Sequence, residues 1–329
     1  MKCPGCGRNH ARRAGSRCGC GYRFVFTDPK TQGMTDKRFI ALLERATGAG
    51  SYHVTPGQLY FLYRNQKPTR LNRRLNLLIG CALAGGVLCL WLAPTLWPFP
   101  ALVLVVLVLV RVFAGRRRKL DQVRFDALLG RWRKQGDPAR IAQVIMAPGL
   151  HEPPPSWSER DIYDYGVERI LIVQQDIMVD ALVLNNVHAS ERALIVAESG
   201  YPEYLMPIAV RLLEARADLP VFLLHDASAG GAGMRDRLTQ AGRLPLAGHP
   251  IVDLGLASSD GDDLEPLADA VRASRRRELS LDLLPLGLLS GGLAAGFSAQ
   301  VAFGETLREM YAKGAAEGGG SLDWEDDFG

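Results

Sequence analysis

From Leu75 to Val110 the chain carries no charged residue, and this one stretch limits the fold more than any other feature. It divides into Leu75–Ala93 and Leu96–Val110, the second running on past Arg111 to Ala114. Pro94, Pro98 and Pro100 crowd the junction, and each removes a backbone donor and blocks helix continuation. About 20 apolar residues cross a bilayer core, so the pattern predicts two short or tilted helices joined by a tight turn, a transmembrane hairpin over 75–114. Trp91, Trp97 and Phe99 then form an aromatic belt at the distal interface. Gly80, Gly85 and Gly86 allow close approach of a neighbouring helix, and so a route to an oligomer.

The flanks give the orientation. Lys67, Arg70, Arg73 and Arg74 precede the hairpin, and Arg116, Arg117, Arg118 and Lys119 follow it. Basic residues stay on the cytoplasmic side, so both soluble parts are expected in the cytoplasm, at the inner membrane if the protein is bacterial. The apolar segment starts too deep in the chain to read as a signal peptide. A second uncharged run, Leu283–Gly304, contains Pro285, Gln300 and several glycines, and reads as helix packed on a soluble domain, with a third span as the alternative. Mean hydropathy of +0.01 is thus a sum over unlike parts. The net charge of +4 is too small to single out nucleic acid as a partner.

The chain opens with Cys3-Pro-Gly-Cys6-Gly and continues to Cys18-Gly-Cys20-Gly. Paired cysteines this close, each pair followed by glycine, predict a zinc ribbon over 1–27 in which Cys3, Cys6, Cys18 and Cys20 hold structural Zn²⁺. Metal would replace the core that so short a segment cannot build. His10 is the alternative fourth ligand. Arg8, Arg12, Arg13, Arg17 and Arg23 would suit nucleic-acid contact, but no aromatic stacking platform accompanies them, which favours a structural or protein-docking ribbon.

A small helical segment is expected over 28–70. Thr35-Asp36 starts one helix, and Thr55-Pro56-Gly57-Gln58 is a capping box for a second. After the hairpin, 115–150 reads as a helical linker, with an amphipathic helix over Leu120–Gln135 and a shorter one over Pro138–Met146. Then the pattern changes. Strands are predicted at Arg169–Val173, Ala193–Ala197, Val221–Leu224 and Ile251–Leu254. Helices fall between them at Met178–Val187, Glu203–Arg216 and Met234–Ala241. Strict alternation means an α/β fold over 160–304, a parallel sheet with helices on both faces, with ligands at the carboxyl ends of its strands.

Those strand ends carry Gln174-Gln175-Asp176, Gly200-Tyr201-Pro202, His225-Asp226-Ala227-Ser228 with Gly231, and Leu254 to Asp260. In order and spacing the stretch from Tyr165 to Asp260, under a third of the 329 residues, resembles the Toprim domain of the type IIB topoisomerase A subunit and its meiotic recombination relatives. The resemblance implies a Mg²⁺ site built from three carboxylates at the positions of Gln174, Asp226 and Ser228. Two of these are neutral here, and neutral oxygens supply no charge to a hard dication. Asp176, Asp180 and Glu198 stand nearby to compensate. The stretch before the first strand is too short for the family's catalytic-tyrosine domain. The expectation is therefore a degenerate, non-catalytic Toprim-like module, with a Mg²⁺-dependent nuclease or phosphotransfer enzyme, and a tethered nucleic-acid binder, as alternatives. His225 beside Asp226 is a candidate acid/base pair. The acidic end over 315–329 is read as a disordered tail, in which Trp324 and Phe328 form a docking motif for a protein partner.

Overall fold

The computed structural model describes residues 1–65, 78–84, 103, 105–106, 120–153, 166–260, 271–274 and 278–316. The tail motif at Trp324 and Phe328, most of the hairpin expected over 75–114 and its basic flanks lie outside them. Contacts divide the chain into two compact units, Met1–Arg64 with Asp121–Gly329, and Asn65–Leu120.

In the larger unit the main helices are α1 (Asp36–Ala46), α2 (Pro56–Arg64), α3 (Gln122–Gln135), α4 (Asp176–Leu184), α5 (Met206–Ala215), α6 (Met234–Ala241), α7 (Leu286–Ala299) and α8 (Phe303–Ala316). The strands are β1 (Arg169–Val173), β2 (Ala193–Ala197), β3 (Val221–Leu224) and β4 (Ile251–Asp253). All pair in parallel, in the order β2-β1-β3-β4. Side chains alternate across a strand, and here both faces are apolar. Leu171, Val173, Ile195, Phe222 and Leu224 join a core with α4, α7 and α8. Ile170, Ile172, Leu194, Val196 and Leu223 join a second core with α5 and α6. The chain order of the strands reverses between β1 and β3, so their carboxyl ends open the crevice where ligands of such sheets sit.

The run Leu283–Gly304 contributes α7, whose Leu288, Leu289, Leu293 and Phe297 are buried in the first core. Among the described residues no single helix is long and apolar enough to cross a membrane, although α7 and the start of α8, bent by 116°, together pass such a test. Gly292 is required where they cross, because a Cβ there would lie 2.3 Å from the Phe303 ring.

Ahead of the sheet, α1, α2 and α3 bury an aromatic cluster. Phe26, Phe39 and Trp132 pack mutually with ring centroids 4.9 to 5.7 Å apart. Tyr63 near the end of α2 stacks on Phe125 in the first turn of α3 at 5.2 Å. The chain therefore leaves this unit and re-enters it at neighbouring points. The capping box of α2 is reciprocal: the Gln58 N–H donates to Thr55 Oγ1 at 3.1 Å, and the Thr55 N–H donates to Gln58 Oε1 at 3.0 Å. Helix α2 is also bound to the α/β part. Thr55 Oγ1 donates to the Asp282 carbonyl at 3.0 Å, and Tyr60 Oη donates to that of Ala273 at 3.0 Å. Val54 and Val144 add a short parallel bridge, in which the Val54 N–H donates to the Gln143 carbonyl and the Ile145 N–H to that of Val54, at 2.9 Å each. His53 and Asn185 exchange hydrogen bonds of 2.9 and 2.8 Å.

In the smaller unit, residues 78–84 are helical, and Leu78 and Leu83 are each 52% exposed. Val103, Val105 and Val106 are exposed to the same degree.

Candidate functional site

Two places gather chemistry-bearing side chains: the amino-terminal cysteines and the carboxyl ends of the strands. In the first, the thiols of Cys3, Cys6, Cys18 and Cys20 all lie within 4.8 Å of one another. Cys3 Sγ is 3.5 Å from Cys20 Sγ, and Cys6 Sγ is 3.7 Å from Cys18 Sγ. Four sulfurs bound tetrahedrally at about 2.3 Å from one ion would stand about 3.8 Å apart, so the donor set fits a thiolate-bound metal ion. The turns that create it need their glycines: Gly7 and Gly21 sit at φ 70° and 92°, and donate to the carbonyls of Cys3 and Cys18 at 2.9 Å each. The Cys20 N–H holds the Cys18 thiol down to about 7. Cys20 goes the other way, to about 11, because the neighbouring sulfurs outweigh the Tyr22 N–H that favours its thiolate. Once one sulfur ionises the others resist, and a bound dication removes that resistance.

His10 stays out of the cluster. Its Nε2 lies 2.8 Å from the Gly15 carbonyl, and its ring stacks on Phe24. The cysteine-bearing segment is fixed to α1 by Asp36, whose buried carboxylate accepts from Tyr22 Oη at 2.8 Å and from the N–H groups of Val25 and Phe26 at 2.9 and 2.8 Å.

At the sheet, β1 and β3 bring Gln174 and Asp226 together. The Asp226 N–H donates to Gln174 Oε1 at 2.9 Å. The Asp226 side chain turns inward, where it is 2% exposed. Its Oδ2 accepts from the Gln175 amide, which also donates to Ser280 Oγ at 3.0 Å, and its Oδ1 accepts from the Leu281 N–H at 2.8 Å. The Ala227 N–H adds a bond to the Leu279 carbonyl at 2.9 Å. Asp226 thus clamps the segment that enters α7. Ser228 is not part of this group: its Oγ accepts from the Gly231 N–H at 2.9 Å and caps the helical turn that follows β3.

The nearby carboxylates are engaged as well. Asp176 accepts from Ser199 Oγ at 2.6 Å. Asp180 accepts from Tyr201 Oη at 2.5 Å and from the Gly149 N–H at 2.7 Å, while Tyr201 Oη accepts from the Leu150 N–H at 2.5 Å. Burial pushes the carboxyl of Asp180 and the phenol of Tyr201 both upward. Through this pair the Gly200-Tyr201-Pro202 turn, with a cis bond at Tyr201-Pro202, fastens the irregular segment at Gly149 and Leu150 to α4. Glu198 receives Arg237 in two bonds of 2.6 and 2.9 Å. Asp260 accepts from the Ala257 N–H at 2.7 Å and from Arg308 of α8 at 2.5 Å. Among the described residues, the cysteines are the only cluster of three or more metal-type side chains close enough to share an ion.

His225 pairs with a partner other than the adjacent Asp226 carboxylate. Its Nε2 lies 3.1 Å from Asp253 Oδ1 at the end of β4, and its Nδ1 donates to the Asp226 carbonyl at 2.9 Å. The ring is enclosed so tightly that a Cβ at Gly255 would fall 2.0 Å from Nε2, and one at Gly231 would fall 2.6 Å from Nδ1. Burial alone would lower the His225 pKa, but the bonds to Asp253 and to the carbonyl outweigh it and raise the value. The bond from His225 in turn lowers Asp253.

The sign of the pH dependence follows. The histidine contribution is complete below about pH 6.5 and disappears as pH rises through the raised value. The aspartate contribution is complete above about pH 4 and disappears as pH falls through the lowered value. Stability from the pair is therefore greatest between those limits and declines on the alkaline side as pH rises above about 6.5. Unfolding midpoints measured from that range upward in pH should show an alkaline decline that is shallower in Asp253→Asn. Parallel profiles for the two proteins would mean that the pair is not coupled.

Comparison with family models, with curated proteins and with solved structures finds no match for this chain.

Proposed function

We propose that this chain is a membrane-anchored interaction protein facing the cytoplasm, in which a zinc ribbon and a non-catalytic Toprim-like module hold a partner. The observation that carries the reading is the closure of the Asp226 carboxylate: both oxygens are occupied by Gln175 and by the Leu281 N–H, inside the core. A Mg²⁺ ion needs accessible carboxylate oxygens, and binding here would require breaking that clamp. The engagement of Asp176, Asp180 and Glu198 argues in the same direction.

Two further observations support the anchor. Apolar helix with half-exposed leucines and valines is ordinary in lipid and unfavourable in water. The stacked pair Tyr63 and Phe125 joins the last turn of α2 to the first turn of α3, so the larger unit ends and resumes at neighbouring points, which suits a segment that enters and leaves on one side of a bilayer. For the ribbon, four thiolate sulfurs at tetrahedral spacing, with no oxygen ligand in the group, favour Zn²⁺ among the common ions.

The full chain, purified in detergent, should cleave neither DNA nor RNA with Mg²⁺ or Mn²⁺. Cleavage that is lost in Asp226→Asn would replace this reading with the nuclease reading. In cells the chain should sediment with membranes, and should be released from them when 75–114 is deleted.

A further inference from the structure

We propose that the cleft beside the carboxyl ends of β1 and β2 is a binding site for a small phosphate monoester. The cleft encloses about 440 Å³ between those strand ends and α6. That volume lies within the range of ordinary small-ligand sites. Three charged side chains line it: Glu198, Arg237 and Arg243.

Among the described residues their arrangement leaves one positive charge without a counter-charge. Glu198 takes Arg237 through Nε and Nη2, which cancels that pair and fixes the plane of the guanidinium. Arg243 instead donates from Nη1 to the Ser199 carbonyl at 2.5 Å. A carbonyl orients the guanidinium without neutralising it. The fork so presented matches two phosphate oxygens, the geometry in which arginine outperforms lysine. Gln174 accepts from the Asp226 N–H through Oε1, which leaves its NH₂ as a further donor at the cleft wall.

Met206, Leu238 and Leu244 add an apolar part to the lining. An inorganic ion would leave this surface bare, whereas an ester with an organic body would cover it. The ligand class is therefore a phosphate monoester, with a nucleoside monophosphate as its representative probe. This goes beyond the interaction reading and does not rest on it, since neither the anchor nor the ribbon contributes to the cleft.

The test is calorimetric titration of the full chain in detergent with adenosine monophosphate, inorganic phosphate, adenosine and a single-stranded oligonucleotide. Saturable one-to-one binding of the monophosphate is expected, with phosphate weaker and adenosine silent. Arg243→Gln should weaken the monophosphate at least about tenfold, and Arg243→Lys should fall between, since an ammonium keeps the charge and loses the fork. Unfolding midpoints without ligand should match the parent for both variants, because Arg243 is exposed. The proposal is overturned if the monophosphate does not bind, or if adenosine binds as well. It is equally overturned if both Arg243→Gln and the cleft-filling Ala241→Phe leave binding unchanged, or if only a single-stranded oligonucleotide binds. Failure here leaves the cleavage assay untouched, so the two readings fail separately.

Discussion

Cys18→Ser is expected to empty the amino-terminal metal position and unfold the cysteine-bearing segment ahead of Val25 while the rest of the chain remains folded. Structural zinc contributes about 10–16 kcal/mol in small zinc domains, and little else here can replace it. Cys3, Phe24, Val25 and Phe26 are the buried apolar residues of the segment, and the last two are held by Asp36 of α1 rather than by the ribbon itself. The break should therefore fall between Cys20 and Val25. Elemental mass spectrometry should give about one zinc per chain for the parent and a strong loss in the variant. Limited proteolysis should cut the variant within the first 27 residues and spare α1. Equal metal content and equal cleavage in parent and variant would overturn the assignment. An iron chromophore in the parent would overturn the choice of zinc alone.

The second large effect is expected at Asp226. Asp226→Ala removes the acceptor for two donors in a buried setting, and should cost about 3 kcal/mol of unfolding free energy. Asp226→Asn keeps the shape and one acceptor oxygen, and should cost about 1 kcal/mol. The damage should centre on Leu279 and Leu281, which the clamp holds in the core. Denaturant unfolding of the two variants gives both numbers. Full stability of Asp226→Ala would show that the carboxylate is not a structural clamp, and would return it to the list of ligands for Mg²⁺.

The parts that were legible in the sequence are those with a local cause. Strands β1, β2 and β3 fall at the expected residues because four or five apolar, largely β-branched or leucine positions in a row suit a strand buried on both faces. Helix α6 and the capping box of α2 are likewise set within a few residues of themselves. The cysteine spacing gave the metal-capable cluster, because the turns that close it are encoded at Gly7 and Gly21.

The roles of the carboxylates could not be read in that way. Asp226 is answered by Gln175 and Leu281, which lie 51 and 55 positions away, and Asp260 by Arg308, 48 positions away. A motif shows that an acid stands at a strand end. It does not show whether the acid faces solvent or folds back to hold the chain. The pairing of His225 with Asp253 was hidden for a related reason: adjacent strands in a parallel sheet bring together residues that a whole helix separates. Gly255 was the available signal, since glycine next to a strand end marks close approach by a bulky neighbour.

The seam between α2 and the α/β part has a consequence for how the protein is made. Thr55 bonds to Asp282, a partner 227 positions later in the chain. A ribosome adding about 5–20 residues each second needs roughly 10 to 45 seconds to cover that interval. During that time Phe61, buried in the finished fold in the core that Leu281 and Leu284 help to form, has no completed surface to rest against. The nascent amino-terminal helices are thus a natural client for a holding chaperone, and Pro-rich pauses or slow codons before residue 282 would lengthen the wait rather than assist folding.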